Sequence, residues 1–112
     1  MYYIEKHIEV SFAHQLDLPY ESRCTTLHGH NAMITIFCKS EKLNAEGMVV
    51  DFQHVKRIVK KNLDHCNLLE TLPFQPTAEN IAYWLCTQIP CCYKVVVQES
   101  EGNIAIYEKD EL

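Results

Sequence analysis

Two histidines separated by one residue, His28-Gly29-His30, carry the strongest chemical signal in the sequence. In an extended strand, side chains two apart share a face, and glycine between them leaves room for a close approach. Imidazole nitrogens suit zinc, and a catalytic zinc typically takes three protein ligands and keeps one position open. His14, which follows the strand-like run Ser11-Phe12-Ala13, is the best third ligand, because a hairpin would bring it opposite His28 and His30. Cys24 stands four residues before His28, close enough to share the pocket without ligating the metal. The plain alternative is a pair of half-exposed strand histidines beside a core cysteine.

These residues need elements to hold them. Residues 2–12 alternate, with Ile4, Lys6, Ile8, Val10 and Phe12 on one face, and residues 29–39 alternate with Ala32, Ile34, Ile36 and Cys38 on one face. Period two over that length predicts two half-buried strands, paired antiparallel. Between them, residues 17–27 lack periodicity and form a loop that holds Cys24. Asp51 is a good N-cap, and Phe52, Val55, Ile58, Val59 and Leu63 recur at helical spacing opposite Lys56, Arg57, Lys60 and Lys61. This predicts a helix over 52–63 with a solvated basic face. Pro73 and Pro76 break the next stretch, Thr77 opens a second helix with Ile81, Ala82, Leu85 and Ile89 inside, and Pro90 ends it. The run Tyr93–Glu99 and the segment Ile104–Tyr107 flank the turn Glu101-Gly102-Asn103, a closing hairpin. The expected order is ββααββ, an α+β fold with two helices on one face of an antiparallel sheet, in one domain spanning 1–112.

Composition narrows the function. The 112 residues carry a formal net charge of −5 and no basic stripe, which argues against nucleic acid as a partner. No apolar run approaches the ~20 residues that span a bilayer, and the N-terminus does not resemble a signal peptide, so a cytoplasmic protein is expected. The last four residues, Lys109-Asp110-Glu111-Leu112, spell an endoplasmic-reticulum retrieval address, read here as an acidic tail because no route into that compartment is visible. The six cysteines form no C-x-x-C pair, so a zinc-finger scaffold is not expected. They are expected to be reduced, with Cys38 and Cys86 as small core residues.

Several motifs occur in one order along the chain. They are Ala13-His14-Gln15-Leu16, Cys24-x-x-x-His28-Gly29-His30-Asn31, Gly47-Met48-Val49-Val50-Asp51-Phe52, Leu63-Asp64-His65-Cys66-Asn67-Leu68, Pro76-Thr77-Ala78-Glu79-Asn80 and Val97-Gln98-Glu99-Ser100. In this the chain resembles the 6-pyruvoyl-tetrahydropterin synthase family, especially its short 6-carboxy-5,6,7,8-tetrahydropterin synthase members, over nearly its whole length. Ala32 departs from the aromatic residue common there, and Phe12 stands where many members have a small one.

The resemblance implies zinc held by His14, His28 and His30, with Cys24 as proton acceptor and Asp64 and His65 as acid–base partners. Glu99 would anchor the pterin ring and couple to that relay, and Thr77 falls in a pterin-contacting motif. It further implies the tunnelling fold, with sheets closed into a barrel by trimers stacked as a homohexamer and pockets drawing on neighbouring chains. The implied reaction converts 7,8-dihydroneopterin triphosphate to 6-carboxy-5,6,7,8-tetrahydropterin, releasing acetaldehyde and triphosphate, a step toward queuosine and other deazapurines. Formation of 6-pyruvoyl-tetrahydropterin is the alternative, and a non-catalytic zinc- or pterin-binding protein is an alternative of another class.

The chemistry of these residues agrees with such roles. A cation lowers a thiol's pKa, a carboxylate fixes a histidine's tautomer, and a glutamate accepts paired N–H bonds from a pterin. Taken singly, Cys24 reads as a buried thiol, Asp64-His65 as a helix cap, and Glu99 as a solvated acid near a turn.

Overall fold

Alternating apolar residues build the sheet, and the helices cover one of its faces. In a computed structural model the chain forms β1 (Tyr2–His14), β2 (His28–Ser40), α1 (Phe52–Leu63), α2 (Leu68–Thr71), α3 (Ala78–Gln88), β3 (Cys92–Ser100) and β4 (Asn103–Glu108). The structure describes every residue except Gln15, Arg23, Cys24, Thr26, Glu111 and Leu112, and describes the backbone alone of His28. The four strands lie in sequence order, each antiparallel to the next.

The inner face follows from strand parity. Ile8, Val10 and Phe12 of β1, Ala32, Ile34, Ile36 and Cys38 of β2, and Val95 and Val97 of β3 are buried. Against them lie Val55, Val59 and Leu63 of α1 and Ile81, Ala82, Leu85 and Cys86 of α3. Burying one such large aliphatic side chain stabilises the fold by roughly 1.5–3 kcal/mol before entropy is counted. Helix α1 starts where expected, with the Asp51 carboxylate accepting from Gln53 N at 2.8 Å. Lys60 and Lys61 fall in its last turn, where cations complement the helix dipole. Cys38, Cys86 and Cys92 are buried free thiols. Burial first, then the neighbouring Cys92, pushes the Cys86 thiol up to about 12.

β1 runs on to His14 and β2 begins at His28, so the strands themselves carry the histidines, in line with the expected hairpin. Two details exceed the sequence expectation. One extra helical turn, α2, follows Asn67, whose side chain accepts from Leu69 N. Residues 65–67 also pair with the outer edge of β1: His65 N donates to Ser11 O at 2.6 Å, and Ala13 N donates to Cys66 O at 2.9 Å. The opposite edge strand, β4, exposes Ile104 and Ile106. A single chain therefore forms an open sheet. Among the described residues, no helix is long and apolar enough to cross a membrane.

Candidate metal centre and adjoining grooves

The inner-face stripes turn polar at one end of the sheet. On β1 the series Val10-Phe12 continues to His14, on β2 Ala32 is preceded by His30, and on β3 Val95-Val97 continues to Glu99. Antiparallel pairing brings the end of β1, the start of β2 and the end of β3 to the same side. Side chains at positions that would extend the core thus meet there as two imidazoles and a carboxylate.

His14 is only 1% exposed. Its Nδ1 donates to the Pro76 carbonyl at 2.8 Å, which turns Nε2 toward the cluster. Glu99 Oε1 lies 2.8 Å from His30 Nε2 and 3.5 Å from His14 Nε2. Phe12 forms the floor, with its ring centroid 5.4 Å from that of His14 and 6.0 Å from that of His30. Burial works against a charged His14, but the Glu99 carboxylate and the Pro76 carbonyl outweigh it and raise its pKa above the ordinary 6.5. The ligand atoms of His14, His30 and Glu99 all lie within 4.8 Å of one another, and the carbonyl bond to His14 Nδ1 is the outer support typical of a ligating histidine. The donor set suits zinc.

Of the expected ligands, the structure brings the side chains of His14 and His30 together, with ring centroids 4.7 Å apart. The backbone of His28 lies directly opposite His14 in the β1–β2 register, and its side chain is outside what the structure describes. Cys24 also lies outside the described residues, as do the last two residues of the acidic tail. Glu99, expected as a pterin anchor, reaches the histidines from within the same chain. Among the described residues, an added Cβ at Gly29 would meet only the Phe12 carbonyl oxygen, at 3.8 Å, so none of them crowds the position enough to demand glycine. Of the two departures from the resembling family, Phe12 supplies the floor of the cluster and Ala32 is a fully buried core residue.

Asp64 and His65 stand on the strip that pairs with β1. Asp64 Oδ1 accepts from Ser11 N at 2.9 Å, while Oδ2 lies 3.3 Å from Lys60 Nζ and 3.5 Å from His65 Nε2. The His65 backbone is left-handed, with φ 57, an uncommon setting for a residue with a side chain and one that concentrates at functional sites. The His65 side chain is 82% exposed. It borders a groove of about 480 Å³ that Ser11, Phe12, His30, Asn31 and Asn67 also line. A second groove, of about 510 Å³, runs from the start of α3 past Glu99 to the β3–β4 turn. His30 lines the first groove and Glu99, 2.8 Å from it, lines the second.

Thr77, which falls in the motif expected to contact a pterin, is the N-cap of α3, its hydroxyl accepting from Asn80 N at 3.1 Å. Sequence reasoning did not single out Ser11, whose hydroxyl donates to Asn31 Oδ1 at 2.6 Å inside the first groove. The only signal for that pair was Asn31 itself, directly after His28-Gly29-His30.

The Ser11 N–H holds the Asp64 carboxyl below its ordinary 3.8. Burial opposes this, and Lys60 and His65 add to it. A depressed folded-state pKa gives stability that is present above the unfolded value and lost as pH falls through the folded one. Asp64→Asn should therefore destabilise the protein at neutral pH, and the difference should shrink toward zero below pH 3.8. Urea unfolding of both proteins between neutral and acid pH measures it. A difference that stays constant across that range would rule out the carboxylate as its source.

A family model described as 6-pyruvoyl tetrahydropterin synthase matches residues 3–110. A 6-carboxy-5,6,7,8-tetrahydropterin synthase of Bacillus subtilis is 25% identical, aligned over 93% of this chain and 83% of that protein. A protein of Pyrococcus horikoshii provisionally named for the same activity is 46% identical over 57 residues, which spans 51% of this chain and only 35% of the relative. Among solved structures, the 6-pyruvoyl tetrahydropterin synthase of Caenorhabditis elegans superposes with a TM-score of 0.77 at 26% identity, covering 97% of this chain and 96% of that one.

Proposed function

This chain belongs to the 6-pyruvoyl tetrahydropterin synthase family, and from that premise we propose that it is a zinc-dependent lyase acting on 7,8-dihydroneopterin triphosphate. The product we assign is 6-carboxy-5,6,7,8-tetrahydropterin, with acetaldehyde and triphosphate released, as in the route toward queuosine. Relatives aligned over most of their length and named for the carboxy-forming reaction support this product, including the Bacillus subtilis protein and one from Rickettsia felis at 29% identity. The pyruvoyl-forming reaction is the second reading, favoured by the likeness to the Caenorhabditis elegans structure.

The observation that carries the reading is the convergence of His14, His30 and Glu99 at one end of the inner face, beside a groove bordered by His65. In the proposed site His14, His28 and His30 would hold zinc, which when bound would supply the Lewis-acid charge that polarises a substrate oxygen and acidifies the neighbouring C–H bond. Cys24 Sγ takes the proton from that carbon. His65 moves a second proton at Nδ1, because its Nε2 faces Asp64 Oδ2 at 3.5 Å and that carboxylate steadies the imidazolium. Glu99 accepts paired N–H bonds from the pterin ring, entering from the groove that it lines beside α3. Thr77 joins from the start of α3, where its hydroxyl, already accepting from Asn80 N, still has a proton to donate.

Residues 1–112 act as one such domain in a cytoplasmic homo-oligomer, two stacked trimers whose sheets close into barrels. Edge pairing would cover the open β4 strand with its exposed Ile104 and Ile106. The test is to separate the zinc-loaded protein by size, incubate each species with 7,8-dihydroneopterin triphosphate, and identify products by mass. Acetaldehyde and the 6-carboxy product from a hexameric species are expected. A 6-pyruvoyl product would select the second reading. An inert protein that binds both zinc and a pterin would replace the enzyme with a binding protein.

A further inference from the structure

We propose that Glu99 is itself a metal ligand when no pterin is bound, and that pterin binding draws its carboxylate away, so that metal and pterin compete for one side chain. The proposal rests on the zinc and pterin reading above and concerns how Glu99 divides its time between them.

The distances fit ligation. Donor atoms about 2.0–2.1 Å from a tetrahedral zinc lie roughly 3.3–3.4 Å from one another. Glu99 Oε1 lies 2.8 Å from His30 Nε2 and 3.5 Å from His14 Nε2, which brackets that spacing.

Position supplies the other half. Glu99 also lines the groove between the start of α3 and the β3–β4 turn, so a rotation of its side chain can exchange one environment for the other. Ligation by Glu99 halves the charge of a divalent site. Its departure restores that charge and opens a coordination position when the ring arrives.

The experiment measures zinc affinity by competition with a chromophoric chelator for the wild-type protein and Glu99→Gln. The glutamine variant should bind zinc at least roughly tenfold more weakly, since losing even an outer-shell partner typically costs 10–100-fold. Saturating 7,8-dihydropterin, which lacks the triphosphate side chain, should weaken zinc binding in the wild type and leave the variant unchanged. If Glu99 merely hydrogen-bonds the histidines of the metal-free site, removing it frees their nitrogens, and zinc binds the variant equally well or more tightly. That result overturns the proposal.

A measurement on the unaltered protein guards against misfolding of the variant. The visible absorption of the cobalt(II)-loaded wild type should change as 7,8-dihydropterin is added, and an unchanged spectrum under saturating pterin also overturns the proposal. Turnover of the triphosphate without this antagonism would sink the inference and keep the activity. Antagonism without turnover would do the reverse.

Discussion

Replacing His30 with alanine should remove zinc and turnover together, reducing activity to the uncatalysed background. Its Nε2 is 2.8 Å from Glu99 Oε1 and its ring is 4.7 Å from that of His14, so the substitution opens the centre of the cluster. The fold should survive, because the hydrophobic core lies along the rest of the inner face. What is lost is the stabilisation that zinc supplies by binding the folded state, about 2.7 kcal/mol at a free concentration one hundred times its dissociation constant. Cys24→Ala should differ in one respect, losing turnover but keeping zinc. Metal analysis of the purified proteins beside an activity assay decides both. Stoichiometric zinc retained by His30→Ala would remove His30 from the ligand set.

Replacing His65 with asparagine should lower kcat by about 10²–10⁴-fold, the range general acid–base catalysis contributes, with zinc content and melting temperature unchanged. Asparagine is the suitable substitute because it tolerates the left-handed backbone that His65 adopts at φ 57. The side chain is 82% exposed and stands outside the hydrophobic core of the described residues. Measuring kcat against pH for both proteins separates the roles. A proton-transferring His65 predicts that the imidazole limb of the wild-type profile disappears in the variant. An unaltered kcat and profile would assign proton transfer elsewhere.

Much of the framework was legible because it depends on local period. The alternation of Ile8, Val10 and Phe12, the helical spacing of Val55, Val59 and Leu63, and the caps Asp51 and Thr77 each express a preference within a few residues. The hairpin between His14 and His28-Gly29-His30 was legible for the same reason. Where partners lie far apart in sequence, the reading stopped. Glu99 meets His14 and His30 only through the β2–β3 register, although continuing the parity Val95-Val97 by one step would have put it on the inner face. Helix α2 is a single turn of four residues, too short for a periodic signal. The bonds from Ser11 to Asp64 and to His65 N span more than fifty residues, and no spacing rule reaches that far.

The polar end of the inner face has a consequence for how the molecule breathes. Three positions that parity reserves for apolar packing hold His14, His30 and Glu99, so this end of the sheet lacks the hydrophobic clamp that Val10, Ile34 and Val97 give its middle. Regions with little apolar burial open first, at free energies well below that of global unfolding. In the metal-free protein, backbone amides near His14 and His30 should therefore exchange with solvent sooner than those at mid-strand. A cation held by His14, His30 and Glu99, as proposed above, would act as the missing clamp, tying β1, β2 and β3 together at the end where they would otherwise part. Filling those positions with valine or leucine would close the sheet more firmly and leave it chemically silent, the usual trade between stability and activity.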